Sequence, residues 1–224
     1  MLTIDLAGEP AHLLPDRALH LPVHDALLVA DVHWGKAAAF RADRIPVPRG
    51  TTTDDLERLD ALLEMTAARR LLVLGDLLHA RTSLPAETRL AIEAWRARHP
   101  RVEIVLVRGN HDERAGDPPA VLDIACVDAP YALGPFRLHH FPTEVADGYA
   151  LAGHVHPRVQ LHGRGRQRLA LPCFVFGERS GLLPSFGSFT GGAIVDPAPG
   201  ARVYAIADGE VLAVTPSALS AAHT

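Results

Sequence analysis

Asp31 and His33 stand two residues apart, directly after the apolar run 26–30 (ALLVA). The same arrangement recurs along the chain. RLLVL runs into Gly75-Asp76-Leu77-Leu78-His79, and VEIVLVR into Gly109-Asn110-His111-Asp112. FRL runs into His139-His140, and YALA into Gly153-His154-Val155-His156. Carboxylate oxygen, amide oxygen and imidazole nitrogen, without thiolate, suit Mn, Fe, Zn, Co or Ni. Residues two apart on an extended strand end point the same way, so Asp31/His33 and His154/His156 read as ligand pairs. Two such pairs, with Asp76 and Asn110, exceed the needs of one tetrahedral ion. They match two ions sharing a bridging carboxylate. Each cluster alone has an ordinary reading: Asp31 as a helix cap, Asp76 as a turn residue, Gly109-Asn110 as a turn with positive φ. Five of them in order, each at the carboxyl end of an apolar run, point to one ligand-binding rim.

The elements that would place these groups follow from hydrophobic pattern. Continuous apolar runs such as ALLVA and RLLVL predict strands covered on both faces. Residues 35–44 read as a helix ended by the proline-broken IPVPRG. TTTDDLERLDALLEMTAARR reads as a helix capped by Thr51, Thr52 or Thr53, with Leu56, Leu59, Leu62 and Leu63 on one face. Residues 83–99 predict another helix, and 102–107 another strand. Beyond that, strands dominate: 136–140, 149–152, 158–161, 169–176, and a hairpin around Asp208-Gly209. The alternation of strand and helix, then mostly strand, predicts an α/β chain. Its expected form is a four-layer α/β/β/α sandwich of two mixed sheets, as one domain over residues 1–224.

Composition narrows the setting. The 224 residues are 48% hydrophobic, enough for a sizeable core, and the net charge of −4 gives no global pull toward nucleic acid or anionic membranes. Two cysteines, Cys126 and Cys173, imply neither a disulfide framework nor a thiolate cluster. No signal peptide and no run of about 20 apolar residues is visible, so a cytoplasmic protein without a membrane partner is expected. Local cations lie near the clusters: Lys36, Arg41, Arg44 and Arg49 around the first, and Arg158, Arg164, Arg166 and Arg168 after the last. Arg158, Arg164 and Arg166 are candidates for contacts to flanking phosphates; the plain alternative is a solvated face balanced by the acids. Aromatic residues beside the clusters are few: Trp34, Phe40 and Phe141.

The ordered set Asp-x-His, Gly-Asp, Gly-Asn-His-Asp, His, Gly-His-x-His resembles the calcineurin-like metallophosphoesterase superfamily, over residues 31–156. The resemblance implies that Asp31, His33 and His156 hold one metal. Asn110, His140 and His154 hold the second, with Asp76 bridging both. His140 is preferred to His139 because LHHFP is similar to the Leu-x-His-x-Pro stretch of a closer family. The role of His79 stays open. Two cations about 3.5–4 Å apart would lower the pKa of a bridging water, whose hydroxide attacks phosphorus in line. His111 is the candidate proton donor to the leaving group, oriented by Asp112; a hydrogen-bonding role behind the ligands is the alternative.

DVHWGKAAAFR, IPVPRGTT, GDLLHAR, LVRGNHD, YALAGHVHPRV, LPCFVFG and LPSFGSFTGG resemble the bacterial ligase-associated DNA damage response endonuclease (PdeM) family across most of the chain. Trp34 departs from it, standing where a smaller aliphatic residue is expected. This resemblance implies a manganese-dependent phosphodiesterase or nuclease in DNA repair, working with a DNA ligase and a helicase. Zn2+, Fe2+, Mg2+, Co2+ and Ni2+ also fit the donors. The alternatives are a metallophosphoesterase for a small-molecule phosphoester or phosphoprotein, and a non-catalytic metal-bound scaffold for repair partners. DNA against RNA, endo against exo action, and oligomeric state are not set by these residues.

Overall fold

A computed structural model describes residues 1–42, 44–47, 50–79, 84–163 and 167–215. Seven strands form the first sheet in chain order: β1 (Leu2–Leu6), β2 (Glu9–Leu14), β3 (Ala18–Leu21), β4 (Ala26–Val29), β5 (Arg70–Leu74), β6 (Glu103–Val107) and β7 (Ile124–Val127). β1 to β4 run as an antiparallel meander, while β4 to β7 are parallel. Parallel neighbours require crossovers. These carry α1 (Lys36–Ala42) and α2 (Thr51–Thr66), then α3 (Ala86–Arg98), then the short α4 (Asn110–Ala115).

The second sheet holds β8 (Tyr131–Leu133), β9 (Phe136–Leu138), β10 (Tyr149–Ala152), β11 (Pro157–His162), β12 (Arg168–Phe176), β13 (Ser180–Leu182), β14 (Ala193–Ile194), β15 (Arg202–Ala207) and β16 (Glu210–Val214). β9, β10 and β13 lie parallel, and the other pairs are antiparallel except β11–β14. Asp208 and Gly209 both take positive φ, 49° and 74°, as a two-residue hairpin turn requires.

Alternation along the parallel strands sorts the core. Leu28, Leu72, Leu74, Val105 and Val107 face Phe136, Leu138, Leu151, Phe174 and Phe176 of the second sheet. Leu27, Val29, Leu71, Val73, Ile104 and Leu106 face the helices, against Leu56, Leu59, Leu62 and Leu63 of α2 and Ile92 and Trp95 of α3. Each buried Leu on the α2 face contributes about 1.5–3 kcal/mol, so truncating Leu62 to Ala costs about 2–5 kcal/mol. Trp34 is buried in this helical layer, 6.0 Å from the ring of Trp95.

The two packed mixed sheets are those expected from pattern. The described α-helices all precede residue 116, so the outer helical layer belongs to the first sheet. The outer face of the second sheet buries a small cluster of Val159, Cys173, Val203 and Ala205. α2 differs in one detail: its cap position is Gly50, with φ 88°, and no threonine side chain caps it. No helix of the described residues is long and apolar enough to cross a membrane.

Candidate metal centre

Five strand ends meet on one rim. β4 leads into Asp31 and His33, β5 into Asp76, β6 into Asn110, β9 into His140, and β10 into His154 and His156. Among the described residues three groups have ligand atoms within 4.8 Å of one another: the triads Asp31/His33/His156 and Asp76/His140/His154, and the all-imidazole set His33/His79/His111, which shares His33 with the first triad.

The backbone there differs from the extended form that spacing suggests. Asp31 (φ 54°), His33 (53°), Asp76 (52°), His154 (67°) and His156 (50°) all take left-handed conformations. Each costs on the order of 1–2 kcal/mol, so the surroundings must hold them there. The pairs therefore converge through two left-handed residues flanking one ordinary residue, and not through strand pleating. Close approach explains the preceding glycines. A Cβ on Gly75 would lie 2.1 Å from His140 Nδ1, on Gly109 2.4 Å from Asp76 Oδ1, and on Gly153 2.6 Å from Asp31 Oδ2.

Asp31 is fully buried. Its Oδ2 accepts the His154 N–H at 2.9 Å, so it does not cap α1. Its Oδ1 has no hydrogen-bond partner and lies 3.4 Å from His156 Nε2. Both ring nitrogens of His33 are buried and unpartnered. Burial, with Lys36 and three neighbouring histidines, pushes this imidazole down to about 2, so it is neutral and keeps a lone pair. Orphaned lone pairs aimed at one another in a buried site are the donor set of a cation.

The second triad tells the same way. His140 Nδ1–H donates to Leu74 O (3.0 Å), which leaves Nε2 as a lone pair. That Nε2 is 3.0 Å from both Asn110 Oδ1 and His154 Nδ1. A backbone carbonyl fixing the tautomer of a ligating histidine is the usual supporting arrangement. His156 has the counterpart, with Nδ1 3.3 Å from Gly191 O. His139 is half-buried and outside both triads. Asp76 sits between them: Oδ2 is 3.8 Å from His33 Nε2, and Oδ1 is 3.5 Å from His140 Nε2. The residues thus fit two divalent ions, with Asp76 reaching both.

His111 sits half-buried at the start of α4, its N–H donating to Asp76 Oδ1 (2.9 Å). Its Nδ1 lies 3.1 Å from the carbonyl of His79, and the two rings stack at 5.1 Å. This corrects the expectation for Asp112. The Asp112 carboxylate does not orient His111. It accepts four backbone N–H groups, from Asp76 (2.7 Å), Leu77 (3.0 Å), Leu78 (3.1 Å) and Gly109 (2.9 Å). Asp112 therefore ties the β5 turn to the β6 turn. Nothing local in Gly-Asn-His-Asp signals this, because three of its four donors are 34 to 36 residues away.

Around the rim, Lys36 is half-buried, its ammonium in the field of Asp31 and Asp76 while burial pulls its pKa down. Phe141 is half exposed with its ring 4.6 Å from that of His154. Arg158 donates through Nη2 to Ala170 O (2.6 Å) across the β11–β12 pair. Arg164 and Arg166 lie outside the described residues, as does Arg49. Reading by ligand type passes over LPSFGSFTGG, which holds no ligating side chain yet packs against the Asp31 turn. Ser185 Oγ lies 3.0 Å from Asp31 O.

The calcineurin-like phosphoesterase family model matches residues 25–173, which spans all seven candidate ligands. Among solved structures, a Pseudomonas putida nuclease MPE is similar at 47% identity and a TM-score of 0.84, covering 95% of this chain and 99% of that one. The Escherichia coli phosphoesterase Yfce is similar at 18% identity and a TM-score of 0.41, over 87% of this chain and 98% of that one. No curated protein matches the chain.

Proposed function

The chain belongs to the calcineurin-like phosphoesterase family and is a metal-dependent phosphoester hydrolase, and from that premise we propose that it is a nuclease cleaving phosphodiesters in nucleic acid with two divalent cations, manganese foremost. The observation that carries the reading is the Asp76 carboxylate, one oxygen toward each triad. The nucleic-acid substrate is supported by the nuclease that matches nearly the whole chain.

Asp31, His33 and His156 would hold one ion, and Asn110, His140 and His154 the other, with Asp76 shared. Two such cations, when bound, make hydroxide available near neutral pH and offset charge on the phosphoryl oxygens. The chain's own groups do the rest. In-line displacement at phosphorus would form one P–O bond and break the opposite one, to the leaving oxygen. His111 gives the leaving oxygen its proton from Nε2, while Nδ1–H stays on the His79 carbonyl. Lys36 adds positive charge at the mouth of the site for a phosphate oxygen. The repair setting, with ligase and helicase partners, rests on sequence resemblance.

The small-molecule or phosphoprotein reading shares the rim. One observation favours it: the Arg158 guanidinium is already engaged by Ala170 O. Digestion of circular and linear, single- and double-stranded substrates with manganese separates the readings. Cleavage of circles establishes an endonuclease. Intact nucleic acid beside brisk hydrolysis of aryl monoesters would transfer the conclusion to a small substrate.

A further inference from the structure

LPSFGSFTGG carries no chemistry of its own, yet it touches the left-handed turn at Asp31. Leaving β13, Leu183 N–H donates to Ala152 O (2.8 Å), at the foot of the turn that bears His154 and His156. The chain then crosses to the first sheet. Ser185 pairs with Ala30 in a parallel bridge, and Phe186 N–H donates to Ala30 O (2.8 Å). Asp31 O receives two donors, Gly187 N–H at 3.2 Å and the Ser185 hydroxyl at 3.0 Å. With the Ser185 proton on Asp31 O, the Thr190 hydroxyl supplies the proton between the two oxygens, 2.6 Å apart, and its oxygen lies 2.9 Å from Gly187 O. A Cβ on Gly187 would stand 2.5 Å from Val32 O, so only glycine lets the segment lie this close.

The segment is anchored from behind. Arg17 Nη1 reaches Ser185 O and Gly187 O, both at 3.4 Å. Arg58 Nη2 donates to Phe186 O (3.1 Å), with its guanidinium 4.1 Å over the Phe186 ring. Asp55 accepts Ser188 N–H (3.0 Å) and the Ser188 hydroxyl (2.5 Å). One stretch of backbone therefore spans from the β10 end to the β4 end and is fixed on both sides.

Asp31 and His33 come from the first sheet and His156 from the second. Their triad needs two separately built strand ends in register, with Asp31 and His33 held left-handed. Resting on the dinuclear reading above, we propose that Ser185 and Gly187 are positioning residues for the Asp31/His33/His156 ion: they lock the Asp31 backbone and align it with His156. Among the described residues no hydrogen bond or ion pair joins the segment to Asp76, Asn110 or His140, so the other ion depends on it less.

The test strips the full-length protein with chelator, titrates manganese by calorimetry, and follows the electron paramagnetic resonance signal. Wild type takes up two ions and shows a spin-coupled pair. Ser185→Ala is expected to lose about tenfold or more in affinity for one ion, as supporting-residue changes do. At intermediate manganese it then shows an isolated six-line signal, with the melting temperature of the stripped protein near wild type. Ser185→Thr restores the pair, and Gly187→Ala reproduces the one-ion defect. Wild-type-like titration of Ser185→Ala, or equal weakening of both ions along with a lowered melting temperature, overturns the proposal. A wild type that takes up no manganese overturns the dinuclear reading and this inference together.

Discussion

The two halves of the rim are built differently. The first sheet supplies both carboxylates and the amide from three adjacent parallel strands, with Asp31, His33 and Asp76 buried. The second sheet supplies imidazoles alone, and only His140 is buried, while His154 is exposed and His156 half-exposed. The anionic half is part of the core, tied together by Asp112. The imidazole half meets it through His140, which contacts Leu74 O and Asn110, and through His154 N–H to Asp31 Oδ2. Residues of one site, and even neighbours in sequence, therefore fail by separate routes. Core members take the fold with them, and surface members take only the ion.

The largest expected effect sharpens this contrast. Asp76→Ala removes the shared carboxylate, and hydrolysis of a bis-aryl phosphodiester should fall by more than about 100-fold, beyond what loss of a supporting residue costs. Retained activity would contradict a carboxylate shared by two ions. Next, His111→Ala and Asp112→Ala separate two adjacent residues. His111→Ala should lower turnover of esters with poor leaving groups by about 10²–10⁴, with metal content and stability unchanged. Asp112→Ala should lower stability by about 3 kcal/mol or more, because four buried N–H groups lose their acceptor. Denaturant melts and paired leaving-group assays measure both.

On the imidazole half, His154→Ala should weaken manganese uptake while unfolding stability stays within about 0.5 kcal/mol, as for other exposed positions. An effect confined to stability and its pH dependence concerns Asp55, buried beneath the 183–192 stretch. Burial pushes its carboxyl up to about 6, against the pull of Ser188 and Arg58. A raised folded-state pKa contributes stability that is full below the unfolded value, near 4, and is lost as pH rises through about 6. The stability of wild type relative to Asp55→Asn should therefore fall by about 2–3 kcal/mol between pH 4 and pH 7. A flat difference in paired melts would remove that strain from the picture.

Much of this was legible in sequence. Continuous apolar runs located β4, β5 and β6, and ligand-capable residues after each run located the rim. What escaped notice was set by contacts distant in sequence. β7 and β8 are short, and β8 is three residues long, too brief for a period to show. Left-handed Asp31 and His33 read as a continued strand, because Asp-x-His spacing is the same in both backbones. Asp112 reads as a partner of His111, because only the folded chain brings the Asp76–Leu78 amides to it. Ser185 and Gly187 carry no ligating atom, so their place beside Asp31 appears only once both sheets are assembled.

Anomalous diffraction from crystals grown in manganese tests the shared-carboxylate centre directly. Two peaks are predicted, one bounded by Asp31, His33 and His156 and the other by Asn110, His140 and His154, with Asp76 touching both. A single peak, or two peaks neither of which touches Asp76, would contradict it.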